Sequence, residues 1–300
     1  IHSKKSGVAH FRCEGENECY EKVRKLLDYI PHYYGDELVQ AAKYHFDEKK
    51  KAKHIETILP ENTRKGYDIR EVINDVTDDD SFFETSAEFA INCVTGFAKI
   101  EGRSVGIVAN NPGGMGGVLD CDASDKIARH VRYCDAFNIP LVTFVDVPGF
   151  IPGPQEEQKG IIRHGAKVIY AYSEASVPKI SVITRKAYGG AYIAMCSKHI
   201  GADFVYAWPA SEIAVMGAEG AVGILYAKEL ADPEKAAEVA AKEQAYREEI
   251  MTPAIAAKRG YVTEVIEPSA TRRHIAESLS FLADKKSMDN PLKKHGNIPL

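Results

Sequence analysis

The sequence has no apolar run long enough to cross a bilayer as a helix. It has no long basic run either, only the short Lys49-Lys50-Lys51 cluster, and a formal charge of -5 offers no general attraction to nucleic acid or an anionic membrane. Nucleic acid is therefore not an expected partner. Six cysteines, Cys13, Cys19, Cys93, Cys121, Cys134 and Cys196, include no C-x-x-C pair and are widely spaced. That pattern fits reduced thiols, in the cytoplasm or, for a eukaryotic source, the mitochondrial matrix. His10, Cys13 and Cys19 do not complete a four-ligand set, so no metal is expected. Nucleotide fingerprints are missing as well: the glycines of NNPGGMGG from Asn110 lack the G-x-G-x-x-G spacing, and no G-x-x-x-x-G-K-[ST] occurs. What remains, at 45% hydrophobic and 27% charged residues, is an ordinary globular composition with enough chain for one or two domains and a sizeable core.

The most informative stretch is VPKISVITRKAYGGAYIAMCS, Val177 to Ser197. Ile180 to Thr184 is β-branched at every position but Ser181, and Ala191 to Met195 favours helix. The reading is strand, tight turn, helix, with Gly189-Gly190 at the junction. Amides there lack intrahelical partners and suit a negatively charged oxygen. No Ser, Cys or His stands in the turn to act as a nucleophile, so oxyanion stabilisation is the chemistry indicated. A tight connection whose glycines serve only close packing is the other reading of this stretch.

Similar units precede it. Strands starting near Val105, Leu141 and Ile180 recur at intervals of 36 and 39 residues, each followed by a glycine-bearing loop and a helix, over Ser124 to Phe137 and Ile161 to Ala175 in the first two copies. The spacing suits parallel strands joined by right-handed crossovers, with loops gathered at the carboxyl edge. Cys93 to Ile100 and Arg103 to Ala109 form a predicted hairpin about Glu101-Gly102, preceded by a helix from Asp68 to Val76. The run Asp78-Asp79-Asp80 reads as a solvated cap. Val23, Leu26, Leu27 and Ile30 mark an amphipathic helix, and further strands are expected over Phe204 to Trp208, Glu212 to Met216 and Tyr261 to Ile266. A charged helix capped by Asp232-Pro233 is expected through about Ile250, and another from Ser269 to near Lys286.

Four ordered motifs, FVDVPGFIPG at Phe144 to Gly153, GIIRHGAK at Gly160 to Lys167, VITRKAYGGAY at Val182 to Tyr192 and YAWPASEIAVMGAEGAV at Tyr206 to Val222, carry a specific likeness. With SGVAH at Ser6 to His10 and KKHGNIPL at Lys293 to Leu300, the sequence resembles the carboxyltransferase (β) subunits of biotin-dependent acyl-CoA carboxylases, propionyl-CoA carboxylase type, mainly their C-terminal half. The resemblance implies an α/β crotonase-like fold, a spiral of ββα units. It divides the chain into residues 1–31, the end of the acyl-CoA domain, residues 32–67, a connector, and residues 68–300, the biotin-side domain.

It also implies a role for the glycine turn. The amides of Gly190 and Ala191 are expected to hold the biotin ureido oxygen as the carboxyl group leaves. Gly149, Phe150, Gly160, Tyr188, Gly189 and Ile193 are expected to line the biotin or substrate site. Ile193 stands where propionyl-CoA carboxylases usually carry Asp, and where decarboxylase and transcarboxylase relatives carry an apolar residue. Carboxyl transfer between carboxybiotin and propionyl- or acetyl-CoA is the activity implied; a methylmalonyl-CoA decarboxylase or transcarboxylase running the same chemistry in reverse is the near alternative. A non-catalytic biotin-binding and assembly fragment is the alternative of another class. Biotin on a separate carrier, a biotin carboxyl carrier protein, biotin carboxylase or decarboxylase membrane subunits, and a homohexamer are the implied cofactor and partners. Among side chains, His164 reads as structural, Arg185 and Lys186 as orienting the turn or meeting a partner chain, and Cys134 and Cys196 as inert core thiols.

Overall fold

The predicted hairpin forms, and its turn explains the acidic run before it. In the computed structural model, which describes residues 1–33, 35–36, 44–230, 235–285 and 296–299, Glu101 and Gly102 both have positive φ, 52° and 76°. Their two N–H groups donate to the carboxylate of Asp78, at 3.1 and 2.8 Å. Asp78 also pairs with Arg272 at 2.6 Å and is buried, while Asp79 accepts from Lys51 and His45. The solvated cap expected from Asp78-Asp79-Asp80 is thus corrected: Asp78 is an internal anchor, because two bare turn amides and a guanidinium converge on it.

The elements in order are α1 (Glu16–Leu27), α2 (Glu48–Ile55), α3 (Ile69–Val76), β1 (Phe83–Thr85), β2 (Cys93–Ile100), β3 (Arg103–Asn110) and α4 (Cys121–Ala136). Next come β4 (Leu141–Val147), α5 (Pro154–Lys159), α6 (Ile161–Glu174), β5 (Lys179–Tyr188) and α7 (Gly189–Ala194). The chain continues through β6 (Phe204–Ala207), β7 (Glu212–Ala214), α8 (Ala218–Leu225), α9 (Ala227–Leu230), α10 (Ala236–Tyr246), α11 (Pro253–Lys258), β8 (Glu264–Val265) and α12 (Thr271–Phe281). The strands form one sheet in the order β1-β2-β3-β4-β5-β6-β8, with β7 paired to the end of β5. β1, β2 and β3 are mutually antiparallel, and from β3 onward every pairing is parallel.

A parallel sheet covered on both faces needs strands apolar on both sides. All seven residues of β4 are buried: Leu141, Val145 and Val147 face the core under α4 and α6, Val142 and Phe144 the core under α3 and α12. The second layer is pinned by polar bonds, Trp208 Nε1 donating to Thr271 Oγ1 at 2.9 Å and the Tyr206 hydroxyl meeting Ser278 Oγ at 2.7 Å. Cys134 and Cys196 are buried, and burial raises both thiol pKa values, that of Cys196 to about 11. Both sit in the core, where burial disfavours the reactive thiolate, in keeping with their reading as core thiols.

Other expectations need adjustment. α1 forms, but none of its residues is fully buried, and Val23 and Leu27 stay about half exposed; Leu26 and the following Tyr29 and Ile30 make the core contacts. The strand expected at Tyr261 to Ile266 shrinks to two residues, because only those pair with β6, and Tyr261 instead packs its ring 4.7 Å from His199. The cap expected at Asp232-Pro233 lies outside the described residues. Its helix appears as α10 and continues into a π-helical turn, Arg247–Met251.

At the carboxyl end of β4 the hydrophobic alternation is interrupted by a wholly buried carboxylate, Asp146, whose partner Arg185 on β5 is also buried. Removing one member of such a pair strands the other charge in a low dielectric, at a cost of about 3–5 kcal/mol. Arg185→Met is expected to lower unfolding free energy by about that amount in urea titrations, and adding Asp146→Asn to recover part of the loss. An unchanged midpoint for the single variant would show that the pair does not hold the sheet.

Candidate active site

The site is built by a fault in strand register. β4 and β5 pair residue for residue from Leu141↔Lys179 to Val145↔Ile183, and then Val147 pairs with Ala187, so β5 carries two extra residues opposite Asp146. Asp146 fills the gap. Its carboxylate accepts the Arg185 guanidinium at 2.8 Å and the Lys186 amide at 3.1 Å. Arg185 also donates to the Lys65 carbonyl at 2.9 Å and lies 5.0 Å over the ring of Tyr67, whose hydroxyl meets Thr184 Oγ1 at 3.0 Å. Burial pushes the Asp146 pKa up and the Arg185 charge opposes it; burial also drives the Tyr67 phenol well above its usual value.

The fault redirects the strand. Up to Ile183, β5 pairs with β6; beyond it, Lys186, Ala187 and Tyr188 pair with Glu212, Ile213 and Ala214 of β7. Tyr188 is buried, its hydroxyl donates to Glu212, and its ring shares a small apolar cluster with Ala218 and Met251. Arg247, delivered by the π-helical turn, stands 3.7 Å from the other oxygen of Glu212.

Gly189 then turns the chain with φ +59°, and a Cβ there would stand 2.9 Å from the Val215 carbonyl oxygen. Only glycine meets both demands without strain. Gly190 is the opposite case: it is exposed, and a Cβ added to it meets nothing within 4 Å. Gly189, Gly190 and Ala191 form the first turn of α7, where amides have no partner within the helix, and the Tyr188 side chain does not cap them. Among the described residues no turn, loop or side-chain hydrogen bond takes its hydrogen from Gly190 or Ala191. The Ala191 methyl is buried in the main core, which holds the turn rigid, and Ile193 is half-buried against the same core.

The other expected site residues lie on the neighbouring loop. Gly149 has φ +155° and open space beside it; Phe150 pairs with Leu119 of the preceding loop and its ring lies over Gly165 of α6. Leu119 and the second loop exchange bonds at 3.0 and 2.8 Å, and Gly117 lies against the Asp146 carbonyl, so the first two loops are fastened together at the carboxyl edge. Gly160 is the left-handed joint between α5 and α6, beside Arg163. His164 bonds Asp125 at 2.9 Å, as does Lys167 at 2.8 Å, a structural arrangement.

Sequence reasoning missed Asp146, Tyr67, Glu212 and Arg247. An acidic residue inside the apolar run of FVDVPGF was the available signal for the first; the rest had none, since their partners are distant in sequence. Two cavities lie elsewhere. One of about 450 Å³ is lined by His10, Phe11, Lys22 and Glu88, the other, of about 1070 Å³, by His54, Asp75 and Asp79. The glycine turn faces an open rim.

The chain matches the family described as carboxyl transferase domain over residues 1–298. It is 51% identical over its whole length to the propionyl-CoA carboxylase carboxyltransferase subunit of Haloferax mediterranei, covering 58% of that protein. It is 50% identical over its whole length to the methylmalonyl-CoA decarboxylase subunit alpha of Veillonella parvula, covering 57%. A crystal structure of transcarboxylase 12S, a hexamer with hydrolysed methylmalonyl-coenzyme A bound, superimposes with a TM-score of 0.92 at 48% identity, over all of this chain and 57% of that one. The chain therefore spans a little under three fifths of the length of these relatives, and its fold is the crotonase-like α/β fold expected.

The two glycines should respond differently to a methyl group. Gly189→Ala forces a left-handed L residue against a carbonyl and is expected to cost at least about 1–2 kcal/mol in urea unfolding. Gly190→Ala should leave stability unchanged or raise it by up to about 1 kcal/mol. Equal effects would contradict the geometry of the turn.

Proposed function

The chain belongs to the carboxyl transferase family, and on that premise we propose that it supplies the biotin side of a carboxyl transfer between carboxybiotin and a short acyl-CoA, propionyl- or acetyl-CoA. The observation that carries this reading is the pair of unoccupied amides at Gly190 and Ala191 beside a glycine that leaves room for a ligand. Such donors stabilise charge on an oxygen without reorganising.

The residues present fit a biotin ureido group. The turn offers amide donors, open space at Gly190, and partly exposed apolar or glycine positions at Gly149, Phe150 and Ile193. Biotin, when bound in its carboxylated form, supplies the carboxyl group and an oxygen on which charge gathers. Gly190 and Ala191 hold that oxygen. Tyr188 and Gly189 set the direction of the donors, Tyr188 through Glu212. Gly149 and Phe150, on the neighbouring loop, are assigned to the same site, and Gly160 sets the path of α5 into α6. No side chain in the turn takes a proton; its role is electrostatic. The same groups serve either direction of transfer, so decarboxylase or transcarboxylase activity is the second reading, favoured by the apolar Ile193. We extend the proposal to a carrier-borne biotin, a carrier protein, carboxylase or decarboxylase subunits and homo-oligomeric assembly, in the cytoplasm or mitochondrial matrix. Residues 1–31 are assigned to the acyl-CoA side, 32–67 to a connector and 68–300 to the biotin side.

Ala191→Pro deletes one donor at a position where a first-turn proline is compatible with the helix. In the protein at its natural length, carboxyl transfer should fall about 10²–10³-fold, with acyl-CoA KM little changed. Near-normal turnover in a folded variant overturns the assignment. Transfer that is absent from the wild type, with biotin still bound, favours the non-catalytic binding fragment.

A further inference from the structure

The glycine turn is soft by composition. Two consecutive glycines have no side chain to restrict their torsions, and α7, at six residues, is too short to hold its own direction. The donors at Gly190 and Ala191 are therefore only as well aimed as the anchors on either side of the turn. Downstream the anchor is the Ala191 methyl, buried in the main core. Upstream it is Tyr188, the last residue of β5 and the N-cap of α7.

One segment grips the Tyr188 side chain at both ends. The ring packs with Ala218 and the wholly buried Met251, and Gly217 lies so close that a Cβ there would stand 3.4 Å from it. The hydroxyl donates to Oε2 of Glu212. Glu212 pairs with Lys186 and Ala214 with Tyr188, so Tyr188 and Glu212 share one sheet face. Burial, and then the Glu212 bond, drive the Tyr188 phenol well above its usual pKa, so the hydroxyl keeps the proton that it donates. Arg247 faces the other oxygen of Glu212 at 3.7 Å, and Lys186 adds a second attractive charge. Arg247 and Met251 are the two ends of the π-helical turn, which thus reaches the ring directly and the hydroxyl by way of Glu212.

We propose that Glu212 and Arg247 are positioning residues for carboxyl transfer: acting through the Tyr188 hydroxyl, they fix the direction in which the Gly190 and Ala191 amides meet the biotin oxygen. The inference rests on the carboxyl-transfer reading above. A misplacement of about 1 Å in such a group costs roughly a hundredfold in rate, even when the residue responsible lies away from the chemistry.

The test measures kcat and the acyl-CoA KM for transfer from carboxybiotin to propionyl-CoA, on the protein at its natural length. Tyr188→Phe and Glu212→Leu should each lower kcat about 10- to 100-fold with KM unchanged. Because both remove the same contact, the double variant should be no slower than the slower single one. Arg247→Met should lower kcat by up to about fivefold, the worth of a partly exposed ion pair, and Arg247→Lys should restore most of it. Tyr188→Phe keeps the ring in its cluster, so it decides the matter where Glu212→Leu fails to fold. General damage to the fold would instead lower Tm and add across the double variant. Undiminished kcat in Tyr188→Phe, or losses that multiply in the double variant, overturn the inference while leaving the carboxyl-transfer reading in place. A folded wild type that transfers no carboxyl group overturns that reading and this inference with it.

Discussion

The buried carboxylate of Asp146 is the constraint on which the site depends. A parallel pair of strands continued in register would carry β5 along β6 to its end, and the glycine pair would emerge elsewhere on the rim. Two surplus residues in β5 prevent that, and they need a partner for an exposed amide and a guanidinium. Asp146 meets both. The bulge is thereby held rather than tolerated, which is how bulges beside functional sites re-aim a strand. Arg185 also takes hold of Lys65 and Tyr67, so the segment before α3 is tied to the same point.

Everything downstream follows from the new direction of the strand. Residues 186–188 take β7 as neighbour, Tyr188 finds Glu212, and the π-helical turn brings Arg247 and Met251 to the same cluster. A π turn in place of a further α turn alters which side chains face the sheet. The strand ends in a rigid frame, and α7 starts from it with its first amides uncapped by Tyr188 and Ala191 locked in the core. Donors placed this way act without moving, the condition for electrostatic stabilisation of a transient charge. Chemistry carried by the main chain also tolerates variation in nearby side chains, which suits a family whose members act on related thioesters in either direction.

The two hollows described above lie away from the glycine turn. At the carboxyl edge the first two loops are fastened by the Leu119–Phe150 bridge, and Gly190 of the third is exposed.

The sequence by itself determined the alternation of strands and helices, the parallel order of the sheet, the hairpin at Glu101-Gly102 and the position of the glycine pair. Each of these rests on contacts between residues near in the chain or on a periodic pattern of apolar side chains, and such information is local. It also carried the likeness in motif order on which the functional reading stands. What only the tertiary structure decided are the pairings between residues far apart: Asp78 with Arg272, Asp146 with Arg185 and the carbonyl of Lys65, Glu212 with Tyr188 and Arg247. The acidic run at Asp78 looked like a solvated turn because a carboxylate's partner is invisible until the chain folds back on it. Arg185, read from the sequence as orienting the turn or meeting a partner chain, proves to be the buried partner of Asp146. Whether a charge is matched or left over depends on the sum of its neighbours in space, and that sum is fixed by the fold.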